Sequence, residues 1–313
     1  MKIFHSSVCQ SKPQEPITYI VDGLIPRGVI ADISGPPGGG KSTILLSLAA
    51  AISSGTLWFG LATEKTKTAF ISGEASGNDA IGRDLQRLSV SEKTDILFFL
   101  PEFEMFRFDS RSQQWITSTE GRAVLDEIRK QGIELLVIDT IGSVVSGSKE
   151  IDNDQQRQLA RHIRKELKGL TCISISHTNQ ASAKDDLDWR LHYLSRAGGN
   201  GFPGAVRFSG GVSQLQPRDA KTVGIAVDAI VERKLVGFGV SKYNEMPTPV
   251  WTNRAPAIFE IKQDGGLVLV KDGREINQTE KIKGNIRRVP EKGKRIAIIA
   301  RDSKSEDEYG KNW

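Results

Sequence analysis

The chain has little of what would take it out of the ordinary globular class. It has two cysteines, Cys9 and Cys172, with no metal-ligand spacing between them. A disulfide framework and a cysteine-built zinc site are therefore excluded. Cys172 sits inside an apolar run, so the expectation is reduced thiols in a cytoplasmic protein. The apolar stretch "ILLSLAAAI" falls well short of the roughly 20 residues that a bilayer crossing needs, so no membrane partner is expected. No signal peptide is visible at the N-terminus, and no repeat recurs at a period of about 20 to 50 residues. With 38% hydrophobic and 26% charged residues the composition is that of a soluble domain, and a net charge of +5 leans weakly toward a polyanionic partner.

What the chain does have is a loop almost without side chains. "SGPPGGGKST", residues 34–43, fits G-x-x-x-x-G-K-[ST] through Gly35, Gly40, Lys41 and Ser42. That spacing builds a backbone cradle for nucleotide phosphates, since glycine alone turns tightly enough and lets the anion approach closely. The flanks agree. "GVIADIS" reads as a buried strand and "KSTILLSLAAAISSG" as a helix whose N-terminus faces the phosphates. The expected nucleotide-binding residues are Gly35, Pro36, Pro37, Gly38, Gly39, Gly40, Lys41, Ser42 and Thr43. Lys41 is assigned to the β- and γ-phosphates of ATP and Ser42 to Mg²⁺.

Strand-like and helix-like segments then alternate. Strands are expected at 68–74, 95–100, 134–140 and 171–178, and helices at 78–88, 119–131 and 153–169. Apolar strands alternating with helices predict an α/β fold: a P-loop core with a mainly parallel sheet covered on both faces and its ligand at the strands' C-terminal ends. Beyond 178 a long polar loop leads to strands joined by turns, with "QDGG" as a hairpin signal. Three regions are expected: an N-terminal extension 1–20, an ATPase domain 21–273 and a flexible basic tail 274–313.

A Mg-nucleotide site needs a second acid at a strand end, and "LLVIDT" supplies Asp139 as a Walker B carboxylate. Thr140, not a glutamate, follows it, so the group that polarises the attacking water must lie elsewhere. Glu74, closing "TAFISGE", is the only acid that ends another core strand. The alternative for Glu74 is an ordinary strand-end carboxylate.

From about residue 20 to 270 the chain resembles the RepA-type hexameric replicative helicases of plasmids and phages, within the RecA-like ATPases. The resemblance is carried by "GPPGGGKST", "ISGEAS" before a helix with "RDLQRL", "LLVIDT", "ISISHTNQAS", and "GVSKYNEMPTPVWTNR" followed by "DGG". It implies that Glu74 is the catalytic base and that His177 senses the γ-phosphate, with Asn179 and Gln180 sharing that role. It also implies an arginine finger from the neighbouring subunit at Arg207 in "GAVRF", with Lys242 close by. The segment before Arg207 departs from the family's "RGSS"-like run, which leaves Arg196 as a competitor. The implied assembly is a homo-hexamer acting on single-stranded DNA, with a replication initiator or a primase as partner.

In such a ring the loops 141–152 and 181–204 point toward the central channel. The second carries Lys184, Trp189, Arg190, Tyr193 and Arg196, basic and aromatic groups suited to single strands. Against that, Asp185, Asp186 and Asp188 dilute the charge, and Trp189 can equally anchor the loop. The tail residues Lys281, Lys283, Arg287, Arg288, Lys292, Lys294 and Arg295 either add nonspecific affinity or, as such charged runs more often do, stay simply solvated. Two classes of function follow: an ATP-driven DNA helicase or translocase, and an ATPase switch or loader that recruits a partner without unwinding. A small-molecule kinase is remote, because no Arg-rich lid is present.

Overall fold

The computed structural model describes residues 16–73, 77–147, 152–179, 184–197, 200–244 and 246–275. Its strands are β1 (Tyr19–Val21), β2 (Ile25–Pro26), β3 (Ile30–Gly35), β4 (Thr68–Ser72), β5 (Ile96–Phe99), β6 (Phe106–Asp109), β7 (Gln114–Thr117), β8 (Leu135–Asp139), β9 (Val145–Ser146), β10 (Thr171–His177), β11 (Phe208–Gln214), β12 (Leu235–Tyr243), β13 (Ala257–Ile261) and β14 (Leu267–Lys271). The helices are α1 (Lys41–Ser54), α2 (Asn78–Arg87), α3 (Thr119–Gln131), α4 (Asn153–Glu166) and the short α5 (Leu187–Arg190), α6 (Gly201–Ala205), α7 (Ala220–Val223) and α8 (Val227–Glu232).

A nine-stranded sheet runs in the order β14-β13-β12-β11-β3-β10-β8-β4-β5. Neighbours from β11 to β5 are parallel, and β11 to β14 are antiparallel. This is the mixed α/β P-loop core that the apolar strands call for, because those strands need cover on both faces. Along β8, Leu135 and Val137 point into one core with Ile44, Leu45, Leu48 and Ile52 of α1. Leu136 and Ile138 point into the other, with Leu125 and Ile128 of α3 and Leu159 and Ile163 of α4. Phe238, Trp251 and Phe259 extend the first core around Trp58.

Helix ends follow local chemistry. Ser118 Oγ accepts the Gly121 N–H at 2.9 Å to start α3, and Asp152 Oδ1 accepts the N–H groups of Asp154 and Gln155 to start α4. The "QDGG" turn closes the β13–β14 hairpin, with Lys262 N–H donating to Gly266 O at 2.9 Å.

Several features depart from the expected layout. The hairpin β6–β7 was not visible as strands, because each arm is only four residues long. Burial of Phe106, Phe108 and Trp115 holds it, together with a Trp115 Nε1 bond to Gln155 O at 2.8 Å. It pairs with β9, so the start of the 141–152 loop is tied into a small sheet, with Ile141 and Val144 buried. The polar stretch after 178 is largely folded, and the return segment at Arg196 pairs with Thr178. Strand β1 spans the boundary drawn at residue 20, and Ile20 is fully buried. Cys9 and the tail residues from 276 lie outside the described residues. Among the described residues no helix is long and apolar enough to cross a membrane.

Candidate nucleotide site

The glycine loop joins β3 to α1. Gly38 and Gly40 take left-handed φ values of 67° and 91°, and a Cβ on Gly40 would meet Ile261 Cδ1 at 2.5 Å. The left-handed backbone at residue 40 favours glycine, which also spares Ile261 a shift. Gly39 N–H donates to Pro36 O at 3.0 Å, tightening the turn. Lys41 is buried, and its Nζ donates to Gly35 O and Pro36 O, each at 2.9 Å. Ser42 and Thr43 follow in the first turn of α1, where free N–H groups and the helix dipole favour an anion.

The opposite wall comes from β8 and β4. Asp139 ends β8 and is 6% exposed. Ser72 is its register partner on β4, and Gly73 N–H donates to Asp139 O at 2.9 Å. A Cβ on Gly73 would lie 2.1 Å from Ser143 Oγ, so glycine lets the end of β4 approach the segment after β8. Glu74, the next residue, lies outside the described residues, as does Gln180. Strand β10 runs between β3 and β8 and sets His177 level with Gly35. Thr178 N–H donates to Gly35 O at 3.2 Å.

Ser42, Thr43, Ser72 and Asp139 share one wall of a 410 Å³ cavity. Leu46, Phe70, Ile81, Leu88, Phe98 and Ile261 give it an apolar lining, to which Asp84, Arg87, Lys234 and Gly265 add. The hairpin turn closes it, since a Cβ on Gly265 would lie 2.7 Å from Arg87 Cδ on α2. A polar pole beside the phosphate loop and an apolar pocket with a few polar groups fit the phosphates and the base of one nucleotide. The sequence reading missed this second half. Its signals were "RDLQRL" and "DGG", which lie far apart in the chain.

The donor set fits Mg²⁺ held jointly with phosphate. Among the described residues no group of three or more His, Cys, Asp and Glu could hold a metal alone. One hydroxyl and one carboxylate, Ser42 and Asp139, suit an ion that keeps water and takes its remaining ligands from phosphate oxygens.

Arg207 lies elsewhere. It precedes β11, whose Phe208 pairs with Ala31 near the start of β3. Four residue steps of strand, about 13 Å, separate that level from Gly35. Arg207 lines a 380 Å³ cavity with Arg27, Arg164 and Asn244. Lys242 is near, on the neighbouring strand opposite Ser209. Its Nζ donates to Pro203 O at 2.9 Å and Gly204 O at 2.6 Å. Burial, and then Arg164, hold its pKa below the usual lysine value.

Two of the proposed DNA contacts require correction. Arg190 is 3% exposed and pairs with the equally buried Asp219, and it also donates to Ser213 Oγ at 3.0 Å and Gln214 O at 2.7 Å. Arg196 is buried too, with Nε 3.5 Å from an Asp32 carboxylate oxygen. Neither guanidinium reaches a polynucleotide, and Arg196 is no competitor for a finger acting on a neighbour. Trp189 remains 44% exposed, stacked on His192 at 5.1 Å with 4° between the rings.

A glycine cradle opening a helix, a strand-end aspartate across from it and a base-sized pocket beyond are the parts of a P-loop nucleoside triphosphatase. The chain belongs to the AAA domain family, whose model matches residues 6–183. That span carries the phosphate loop, Asp139 and His177. No curated protein matches the sequence. Membership makes the chain an AAA-type ATPase domain, for which ATP binding is the implied property.

Proposed function

We propose that this ATPase domain works as a ring-forming translocase or helicase on single-stranded DNA, of the RepA-like type that its motifs resemble. One observation carries the reading. Arg207 and Lys242 stand at the end of the sheet opposite their own phosphate loop, so a part in hydrolysis requires the loop of a second copy. In that arrangement Lys41 compensates charge on the β- and γ-phosphates, and Ser42 and Asp139 hold the metal. Glu74 accepts the proton of the attacking water, and His177 donates to the developing charge. Bound Mg²⁺ supplies charge neutralisation between the phosphates. Trp189 offers an exposed aromatic face for a base, and the partners expected are single-stranded DNA, further copies up to a hexamer, and an initiator or a primase.

A second reading, an ATP-driven switch that recruits a protein without unwinding, draws on Asp185, Asp186 and Asp188. They precede Trp189 in the chain and carry the sign of charge that repels phosphate. Native mass with and without ATP, together with DNA-stimulated hydrolysis and strand displacement, tests both. A ring that displaces a strand supports the translocase. Nucleotide-dependent assembly with neither DNA stimulation nor displacement supports the switch.

A further inference from the structure

Asp32 lies at the centre of β3, three residues before the phosphate loop, and is 1% exposed. Its carboxylate accepts from Ser174 Oγ at 2.9 Å and Ser176 Oγ at 3.0 Å, both on β10, and faces Arg196 Nε at 3.5 Å. The Arg196 guanidinium also donates through Nη1 to Gln156 Oε1 on α4 at 3.3 Å, and covers the buried ring of Phe202 at 5.0 Å. Strand β3, strand β10, helix α4 and helix α6 thus meet at one ion pair, Asp32–Arg196.

The backbone around Arg196 is bonded to the tip of the sensor strand. Ala197 N–H donates to His177 O at 2.7 Å, and Asn179 N–H donates to Ser195 O at 2.9 Å. Residues 195–197 therefore lie beside His177 as a short antiparallel extension. His177 and Arg196 also border the same 180 Å³ cavity, with Gln156 and Ser176. A buried ion pair contributes little net stability against an apolar pair of similar volume. What this one supplies is a fixed place for the segment that holds His177.

We propose that Arg196 is a positioning residue for His177: planted on Asp32, Gln156 and Phe202, it holds residues 195–197 against the sensor strand and so aims the imidazole at the nucleotide. The inference rests on the nucleotide reading above. It takes Arg196 out of direct contact with phosphate and gives it an effect on turnover alone, because nothing it touches belongs to the phosphate loop or the base pocket.

The test is the double variant Asp32→Leu/Arg196→Met, which replaces the ion pair by apolar side chains of similar reach, alongside Arg196→Lys. Steady-state ATPase kinetics, melting temperature and amide hydrogen exchange at Asn179 and Ala197 are measured for each. The double variant takes a partner from the buried Ser176 hydroxyl and from the Gln156 carbonyl, so it is expected to melt below the wild type yet fold, keep KM within about twofold and lose about tenfold or more in kcat, with faster exchange at both amides. Arg196→Lys keeps the charge beside Asp32 and is expected to lose less. Unchanged kcat, or unchanged exchange at the two amides, overturns the proposal, and so does a rise in KM that accounts for the whole loss. If the double variant does not fold, Arg196→Lys decides: wild-type kcat and wild-type exchange overturn it. A wild-type protein that neither binds nor hydrolyses ATP defeats the nucleotide reading itself, an outcome distinct from the others.

Discussion

His177 and Gly35 are register partners across the parallel ladder of β10 and β3, so the end of β10 stands level with the start of the phosphate loop. The pairing sets the His177 backbone beside the start of the loop. His177→Ala is therefore expected to bind ATP with little change while hydrolysis falls by about 10²-fold or more, the usual effect of removing one donor to developing charge. Equilibrium binding and single-turnover hydrolysis check it, and wild-type turnover in the variant would reject the sensor role.

The apolar half of the cavity predicts a split between base and phosphate recognition. Ile81→Asp puts a carboxylate among Leu46, Phe70, Leu88 and Phe98, where an unpaired charge is costly. ATP affinity should fall about tenfold or more, whereas inorganic triphosphate, which has no base, should bind as before. Calorimetric titration of both ligands separates the outcomes. Equal loss for the two would move the base out of this pocket.

Arg190 and Trp189 are adjacent and should behave in opposite ways. Arg190→Ala leaves Asp219 as an uncompensated buried charge and should lower stability by about 3–5 kcal/mol. Trp189→Ala should leave the unfolding midpoint almost unchanged and weaken single-stranded DNA binding, by about 1–3 kcal/mol if one base stacks there. Denaturant titration and binding at two salt concentrations measure both.

Acid should weaken the fold through His162. Its imidazole is half-buried on α4, 2.9 Å from Thr117 Oγ1 and edge-on to Phe106. Burial lowers its pKa from 6.5, with Glu166 opposing and Lys165 and Arg122 adding to the shift. Above pH 6.5 neither the folded nor the unfolded chain binds a proton at this site, and stability does not depend on it. As pH falls through 6.5 the unfolded chain takes up the proton first, so stability declines until the folded-state pKa is passed. His192, lowered by burial as well, acts in the same direction. Unfolding midpoints from pH 8 to 5.5 should fall less steeply in His162→Gln than in the wild type, and identical slopes would contradict the assignment.

The legible parts of the molecule were those written in contiguous residues. The loop 34–43, the largely apolar β8, the buried β10 and the helices α3 and α4 could be read directly, because each element's pattern lies within one short window. The apolar cavity could not, since it forms only where the Gly265 turn meets Arg87 of α2. Arg190 and Arg196 read as surface cations because their counter-ions, Asp219 and Asp32, are distant in the chain. A lone arginine in a polar stretch looks the same whether it faces solvent or a buried carboxylate. The hairpin β6–β7 failed for another reason. Four alternating residues are too few for a period to stand out, and the hairpin's stability comes from packing on α4.

In the proposed ring Arg207 serves a phosphate loop that is not its own. Lys41→Ala should lose nucleotide hydrolysis because charge at the β- and γ-phosphates goes uncompensated, and Arg207→Ala should bind ATP and assemble yet hydrolyse about 10³-fold or more slowly, as finger losses do. The decisive measurement is ATPase activity after the two inactive variants are mixed and allowed to exchange subunits. Some interfaces then pair an intact loop with an intact Arg207, and the account predicts that part of the activity returns. A mixture proven to co-assemble that stays inactive would contradict it.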